Sequence, residues 1–256
     1  MMEIDKIYLG DCLELMKEIP DKSVGCIICD LPYGCLNKKN AKAQWDKSIP
    51  FDQLWEQYER VIKDNGAIVL FAQGMFTARL MMSNPKLWRY NLVWDKVAKN
   101  GFLNSKRMPL RQHEDICVFY KQLPAYNPQM TKCELHKRNH SKGNGKHPNK
   151  NSCYGAFVEV PTTISDEKYP TSIISIPKEH KIGHFFHPTQ KPVELVRYLI
   201  RTYSNEGDLI LDNCIGSGTT AIAAIKENRH FIGMELSKEY YDIACGRINN
   251  ELTINK

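Results

Sequence analysis

The chain lacks any apolar run of the roughly 18 to 20 residues that a membrane-spanning helix needs, and its opening, MMEIDKIYLGD, lacks the apolar core of a secretory signal. It also lacks a Gly-Lys-Ser/Thr tripeptide, which excludes a phosphate-cradling P-loop, and it lacks internal repeats, which excludes a solenoid. An acidic excess is missing too: 35 Lys and Arg against 29 Asp and Glu leave a net charge of +6, which favours a polyanionic partner without naming one. Cysteine is not scarce. The nine cysteines are an odd number set in apolar runs such as VGCIICD (Cys26, Cys29) and DICVFY (Cys117), where a reduced thiol acts as a small hydrophobe. A reducing cytoplasm fits that usage best. With 42% hydrophobic and 10% aromatic residues over 256 positions, one α/β core with a smaller insertion is the expected size of fold.

Continuous apolar runs alternate with segments of helical spacing. KIYL, VGCIIC, AIVLFA, YNLVWDK, DICVFYK, DLILD and HFIGMEL read as strands, most of them buried on both faces. CLELMKEI reads as a helix capped by Asp11, and FDQLWEQYERVI as one with Leu54, Tyr58, Val61 and Ile62 on one side, followed by a turn at Asp64-Asn65-Gly66. MFTARLMMS, PVELVRYLIRTYS, GSGTTAIAAIKEN and KEYYDIACGRINNEL complete the helices, with Trp55, Trp88 and Trp94 as core. Such alternation predicts an α/β fold with a doubly wound, mostly parallel sheet. From Pro124 to about Ile182 periodicity fades. There Lys132, Lys137, Arg138, Lys142, Lys146 and Lys150 meet only Glu134 as an acid, with three histidines between them. Residues 125–182 therefore read as a polar insertion or small recognition domain between 1–124 and 183–256.

Two loops carry chemistry. Asp212-Asn213-Cys214-Ile215-Gly216-Ser217-Gly218-Thr219-Thr220 joins a strand to a helix, where glycines permit close backbone approach and the helix start offers free amides. Glu235 ends the next strand, 19 residues beyond Gly216, the spacing at which an acid grips ribose hydroxyls. A GxG alone is as often a tight turn, but strand, helix and distal acid together point to a nucleoside cofactor. Ala221 stands where a dinucleotide fingerprint has its third glycine, which argues against NAD. The second loop, Asp30-Leu31-Pro32-Tyr33, follows the buried VGCIIC strand at its carboxyl end, where open α/β sheets place ligands. An exocyclic base amine is a poor nucleophile because its lone pair is delocalised. A carboxylate and a neighbouring carbonyl can accept its two N–H bonds, and an aromatic ring can stack a base flipped out of its duplex. Asp30, the Leu31 carbonyl and Tyr33 offer those parts; the bland alternative is a strand ending in a Pro-Tyr turn.

DLPYG resembles the D-P-P-Y motif of amino-methyltransferases, DNCIGSGTT resembles their cofactor loop, and HPTQKP (His187 to Pro192) resembles the segment before that loop in the permuted β class of DNA amino-methyltransferases. The order of motifs agrees with that class, and only residues 125–180 are left unmatched. The resemblance implies a circularly permuted, seven-stranded methyltransferase core of the S-adenosylmethionine-dependent type. Residues 1–124 would be its catalytic half, 125–182 its target-recognition insertion, and 183–256 its cofactor half. By the same resemblance, Asp30, Leu31, Pro32 and Tyr33 form the catalytic pocket. Asp11 bonds the cofactor's adenine, with Cys12 beside it; Thr189, Gln190 and Lys191 lie near the methionyl carboxylate. Asp212, Asn213, Gly216, Ser217, Gly218 and Thr219 line the cofactor with Asp30, and Glu235 holds its ribose. Two positions depart from the family pattern: Leu31 stands for its first proline, and Asn213-Cys214 for the usual Pro-Phe, which removes an aromatic ring.

The resemblance implies methyl transfer from S-adenosylmethionine to double-stranded DNA. N6 of adenine is favoured because N4-cytosine enzymes more often carry serine at the first motif position; N4 of cytosine is the alternative. The Pro-Cys dipeptide of C5-cytosine enzymes is absent, and no metal is required. An RNA or protein-glutamine methyltransferase shares an [N/D]-P-P-Y loop, and an inactive DNA-binding protein with this fold is the non-enzyme reading. A homodimer and a cognate restriction endonuclease are partners the class commonly has, in a prokaryotic or phage setting. The basic cluster reads either as an idle polar loop or as phosphate contacts, with Tyr126 or Tyr154 reaching bases. Cys133, His136, His140, His147 and Cys153 fit no closed zinc site, and Trp45 and Asp46 read equally as a lid or as helix-entry packing.

Overall fold

A computed structural model describes residues 2–35, 46–138, 163–178 and 190–254. Two compact units divide the chain: Met1–Asn127 with Ser172–Lys256, and Pro128–Thr171. In the larger unit the strands are β1 (Lys6–Leu9), β2 (Val24–Cys29), β3 (Ile62–Ala72), β4 (Trp88–Asn100), β5 (Arg111–Phe119), β8 (Ile173–Ser175), β9 (Leu209–Asp212) and β10 (His230–Glu235). They form one sheet in the order β1-β10-β9-β2-β3-β5-β4-β8. β5 alone runs antiparallel to its neighbours. The seven strands expected are all present, and the three-residue β8 adds an eighth at the edge beside β4.

The sheet is buried because its strands are apolar on both faces, and the period-two alternation sorts their side chains into two cores. Cys26 and Ile28 of β2, Ala67, Val69 and Phe71 of β3, and Ile210 of β9 face one core. α4 (Val193–Tyr203), α5 (Thr219–Lys226) and α6 (Lys238–Ile254) supply its other side through Leu199, Ala221 and Ile248. Ile27, Cys29, Ile68, Leu70 and Leu211 face the opposite core. There α1 (Cys12–Leu15), α2 (Phe51–Val61) and α3 (Met75–Ser83) contribute Cys12, Tyr58 and Leu80. Helices on both faces make the sheet doubly wound. Asp11 caps α1 as expected, accepting the Leu13 amide at 2.8 Å.

The expected turn at Asp64-Asn65-Gly66 is instead an irregularity inside β3. The register jumps from Val24 opposite Ile62 to Cys26 opposite Ala67, so residues 63–66 bulge while the parallel pairing with β2 resumes beyond them. Pairing with β2 on both sides of the irregularity overrides the local turn signal there. Ile62 accordingly begins the strand, not the last turn of α2.

In the smaller unit β6 (Thr131–Arg138) and β7 (Thr163–Lys168) form an antiparallel ribbon, where the sequence had suggested little regular structure. Lys132 lies on β6 and pairs with Asp166 at 3.0 Å and Glu167 at 3.1 Å. Along the chain Glu134 is the only acid near it; the two β7 carboxylates arrive through strand pairing. Lys137 and Arg138 lie on β6, in register with Ile164 and Thr163, with their side chains outside the described residues. Lys142, Lys146, Lys150 and Tyr154 also lie outside them. No helix among the described residues is long and apolar enough to cross a membrane.

Leu70 is fully buried in the centre of β3, paired with Cys29 on one side and Cys117 on the other. Leu70→Ala should lower stability by about 2–5 kcal/mol, read from urea unfolding. An unchanged midpoint would mean that this layer is not a packed core.

Candidate active site

β2 and β9 are neighbours, with Cys26 opposite Ile210 and Ile27 opposite Leu211. From this pair the chain leaves in opposite directions, β2 towards β3 and β9 towards β10. A crevice opens at the carboxyl ends of strands at such a switch point. Asp30 follows β2 and Asp212 ends β9, so the two sequence-predicted loops meet there. A cavity of about 500 Å³ lies between them, lined among others by Asp11, Asp30, Tyr33, Glu114, Gly216 and Glu235.

At the β2 end, Lys191 donates to Asp30 Oδ2 at 2.5 Å and the Tyr33 hydroxyl donates to Oδ1 at 2.9 Å. The Tyr33 ring stacks on Phe76 of α3, centroids 4.6 Å apart. Burial pushes the Asp30 carboxyl up, against the pull of Lys191. Burial and the nearby Asp30 and Glu114 carboxylates push the Tyr33 phenol well up, so it stays a donor. Lys191 is almost wholly buried, sits 5.0 Å from the centre of the Phe71 ring, and reaches Glu114 Oε2 at 3.4 Å. Burial works against its charge, but Asp30 and Glu114 outweigh that and hold its pKa above the ordinary lysine value.

At the β9 end, Gly216 has φ +54° and open space where a Cβ would stand. Its amide donates to Glu235 Oε2 at 2.9 Å, and the Ser237 amide donates to Oε1 at 2.8 Å. That pair of bonds aims Glu235 from the end of β10, and burial pushes its carboxyl up against them. Asp212 accepts the Thr220 hydroxyl at 2.5 Å and the Cys214 amide at 3.1 Å, bracing the loop. Ser217 donates to Gln190 at 3.2 Å and receives Arg247 of α6 on its hydroxyl and carbonyl oxygens. The Thr219 hydroxyl is buried without a hydrogen bond among the described residues. Open glycine space, an aimed acid, an uncommitted hydroxyl and the Asp11 carboxylate fit a nucleoside cofactor.

Most of the sequence-predicted residues line this cavity: Asp11, Cys12, Asp30, Leu31, Pro32, Tyr33, Gln190, Lys191, Asp212, Asn213, Gly216, Ser217, Thr219 and Glu235. Thr189 lies outside the described residues. Gly218 does not line the cavity. It starts α5 at φ +84°, and a Cβ there would stand 3.0 Å from that of Ala244, so its glycine serves helix packing. Lys191, expected at the methionyl carboxylate, is bound to Asp30, because two buried carboxylates attract it. Cys214 stands where the family pattern has its ring, and Asn213, in place of the proline, accepts the Tyr58 hydroxyl of α2 at 2.5 Å and lies beside the Cys12 and Cys214 thiols. A ring does line the cavity, Tyr240 of α6. Asp46 accepts the Gly34 amide at 2.8 Å and so ties down the end of the loop after β2, while Trp45 lies outside the described residues. Tyr126 packs on Tyr203, ring centroids 6.3 Å apart, and is half exposed.

Glu114, Lys96 and Lys178 escaped sequence reading. β5 is antiparallel, so its beginning reaches the site and not its end; a search of strand carboxyl ends passes over Glu114. No group of three His, Cys, Asp or Glu among the described residues could hold a metal ion.

A sheet of this order with a nucleoside cavity at its switch point defines an S-adenosylmethionine-dependent methyltransferase fold. Residues 24–245 match the N6/N4 methyltransferase family profile, described as DNA methylase, and the chain belongs to that family. It is 28% identical to the type II methyltransferase M1.MboII of Moraxella bovis over the full length of both chains. It is 27% identical to M.BglII of Bacillus subtilis, covering 97% of this chain and 70% of that one. Among solved structures, the M1.HpyAVI complex with S-adenosylmethionine superposes with a TM-score of 0.64 at 23% identity, covering 95% of this chain and 98% of that one. The cytosine-N4-specific PvuII methyltransferase superposes with a TM-score of 0.66 at 16% identity, covering 97% and 91%.

Burial pushes the Asp212 carboxyl up to about 6 from an ordinary 3.8. A raised carboxyl binds its proton more tightly folded than unfolded, so it takes away stability as pH rises from about 4 to 6. Asp30 and Glu235 shift in the same direction. In thermal unfolding without cofactor, Asp212→Asn should therefore lose less stability than the parent between those pH values. Equal slopes would sink this account of Asp212.

Proposed function

We propose that this protein methylates N6 of adenine in double-stranded DNA, with Asp30 accepting the amine. The observation that carries the proposal is the Asp30 carboxylate at the head of a cavity whose other end fits a nucleoside. S-adenosylmethionine supplies an electrophilic methyl on a sulfonium centre. Asp30 and the Leu31 carbonyl each take one N–H of the amine, which turns its lone pair out of the ring. Phe76 covers one face of Tyr33, and the other face is assigned to the flipped base. Asp30 then stabilises the positive charge that the nitrogen acquires as the N–C bond forms, and takes up its proton.

The choice of adenine rests on aspartate at the first motif position. The likeness to a cytosine-N4-specific enzyme is a likeness of fold. The ribbon unit Pro128–Thr171 is assigned to target recognition, and Lys132, Lys137, Arg138, Lys142, Lys146 and Lys150 to phosphates. Type II relatives support a restriction-modification setting in a bacterial cytoplasm with a cognate endonuclease, and a homodimer is assigned on the motif resemblance alone.

Nucleosides from unmethylated DNA, incubated with protein and S-adenosylmethionine, should show N6-methyladenine by mass spectrometry. Asp30→Ala should lower its formation by about 10² to 10⁴-fold. N4-methylcytosine would overturn the choice of base, and no methylated nucleoside would overturn the reaction. Glu235→Gln should weaken S-adenosylmethionine binding by roughly 10 to 100-fold in calorimetry, through loss of a charged acceptor. Unchanged affinity would remove Glu235 from the cofactor site.

A further inference from the structure

Behind Asp30 lies a row of buried charges that the reaction as described does not use. Lys191 donates to Asp30 at 2.5 Å on one side and stands 3.4 Å from Glu114 Oε2 on the other. Glu114 Oε1 accepts Lys96 at 3.0 Å, but its Oε2 is buried with no hydrogen bond among the described residues. Signs thus alternate along Asp30, Lys191, Glu114 and Lys96. Lys96 is 2% exposed and Lys191 9% exposed. An uncommitted oxygen on a buried carboxylate is costly, and here it lies within reach of a cation that is already engaged elsewhere.

Resting on the reading of Asp30 as amine acceptor, we propose that Glu114 is a positioning residue that takes Lys191 over when the target amine arrives at Asp30. The amine and Lys191 compete for the Asp30 carboxylate. If Asp30 turned to the amine with no other acceptor present, Lys191 would be left as a lone buried charge. Glu114 Oε2 receives it after a shift of less than an ångström, on the order of the difference between an ion contact and a hydrogen bond. It also neutralises Lys191, so that Asp30 keeps its negative field for the nitrogen as the methyl group bonds to it. No bond to carbon changes in this exchange; only hydrogen-bond partners do.

The charged groups acting on Lys191 are Asp30 after β2, Glu114 on β5 and Lys178 after β8; behind them Tyr33 and Asp212 act on Asp30, and Lys96 on β4 acts on Glu114. Burial works against ionisation of Glu114, but Lys191 and Lys96 together hold its carboxyl below the ordinary range, so it stays charged. Glu114→Gln removes that charge. Lys191 is then held by Asp30 alone, and the nearby Lys178 helps to bring its pKa down.

The test is Glu114→Gln and Glu114→Asp in the full chain, assayed on unmethylated DNA from pH 6.5 to 10 with methylated nucleosides counted by mass spectrometry. Glu114→Gln should lower kcat at neutral pH by about tenfold or more, while calorimetric affinity for S-adenosylmethionine changes less than about threefold. Its rate should recover as pH rises and Lys191 loses its proton, an alkaline limb absent from the parent. Glu114→Asp, which keeps the charge, should retain kcat within about threefold and the parent pH profile, and it carries the test if the glutamine variant does not fold. Unchanged kcat in Glu114→Gln, loss without an alkaline limb, or a folded Glu114→Asp as slow as Glu114→Gln would each overturn the proposal. A parent protein that binds S-adenosylmethionine yet methylates no base would overturn the reading of Asp30 itself, and that result is distinct from the others.

Discussion

Two short strands from opposite ends of the chain, β2 and β9, lie side by side through the parallel pairing of Cys26 with Ile210 and Ile27 with Leu211. Everything chemical in this protein depends on that pairing. The strands continue away from each other within the sheet, so their carboxyl ends leave a gap that no crossover helix fills. Asp30 and Asp212 therefore look into one cavity, and Lys191, 161 residues from Asp30, can close an ion pair with it. A permuted order of segments makes no difference to this geometry, because the sheet registers strands by backbone hydrogen bonds and burial, not by their order along the chain.

The same cavity concentrates charge where water is scarce. Asp30, Asp212 and Glu235 are all pushed towards protonation by burial, and each is held in place by donors: a lysine and a phenol, a hydroxyl and an amide, two amides. Such groups weaken the fold and prepare the site, since dipoles fixed in advance need no rearrangement when charge develops. The two hydrophobic cores on either side of the sheet carry that cost. Their strand residues are almost entirely inaccessible to water, which gives the site a rigid floor.

Much of this was legible in the sequence. Continuous apolar runs such as VGCIIC can only be strands buried on both faces, and VGCIIC proved buried at every position. The GSG loop between strand and helix and the acid ending the next strand pointed to a nucleoside cofactor, since each is local chemistry. Local signals also misled. Asp64-Asn65-Gly66 reads as a turn, yet pairing with β2 absorbs it as a bulge. Gly218 reads as a cofactor glycine, and the structure adds a packing reason for it, the approach of Ala244 on α6. The β6-β7 ribbon had no periodic apolar signal, and its described side chains are all exposed or half-exposed, so burial does not demand one of them.

By itself, the sequence determined the fold class, the family and the residue types at both ends of the cavity, because apolar periodicity and loop motifs are properties of short segments. Only the tertiary structure decided which charges meet. Glu114 meets Lys96 because antiparallel β5 brings its beginning beside the end of β4, and Lys191 turns to Asp30 because two carboxylates from different strands converge on it. Electrostatic partnership in a buried site depends on distance and desolvation, and neither is written in the spacing of residues along the chain.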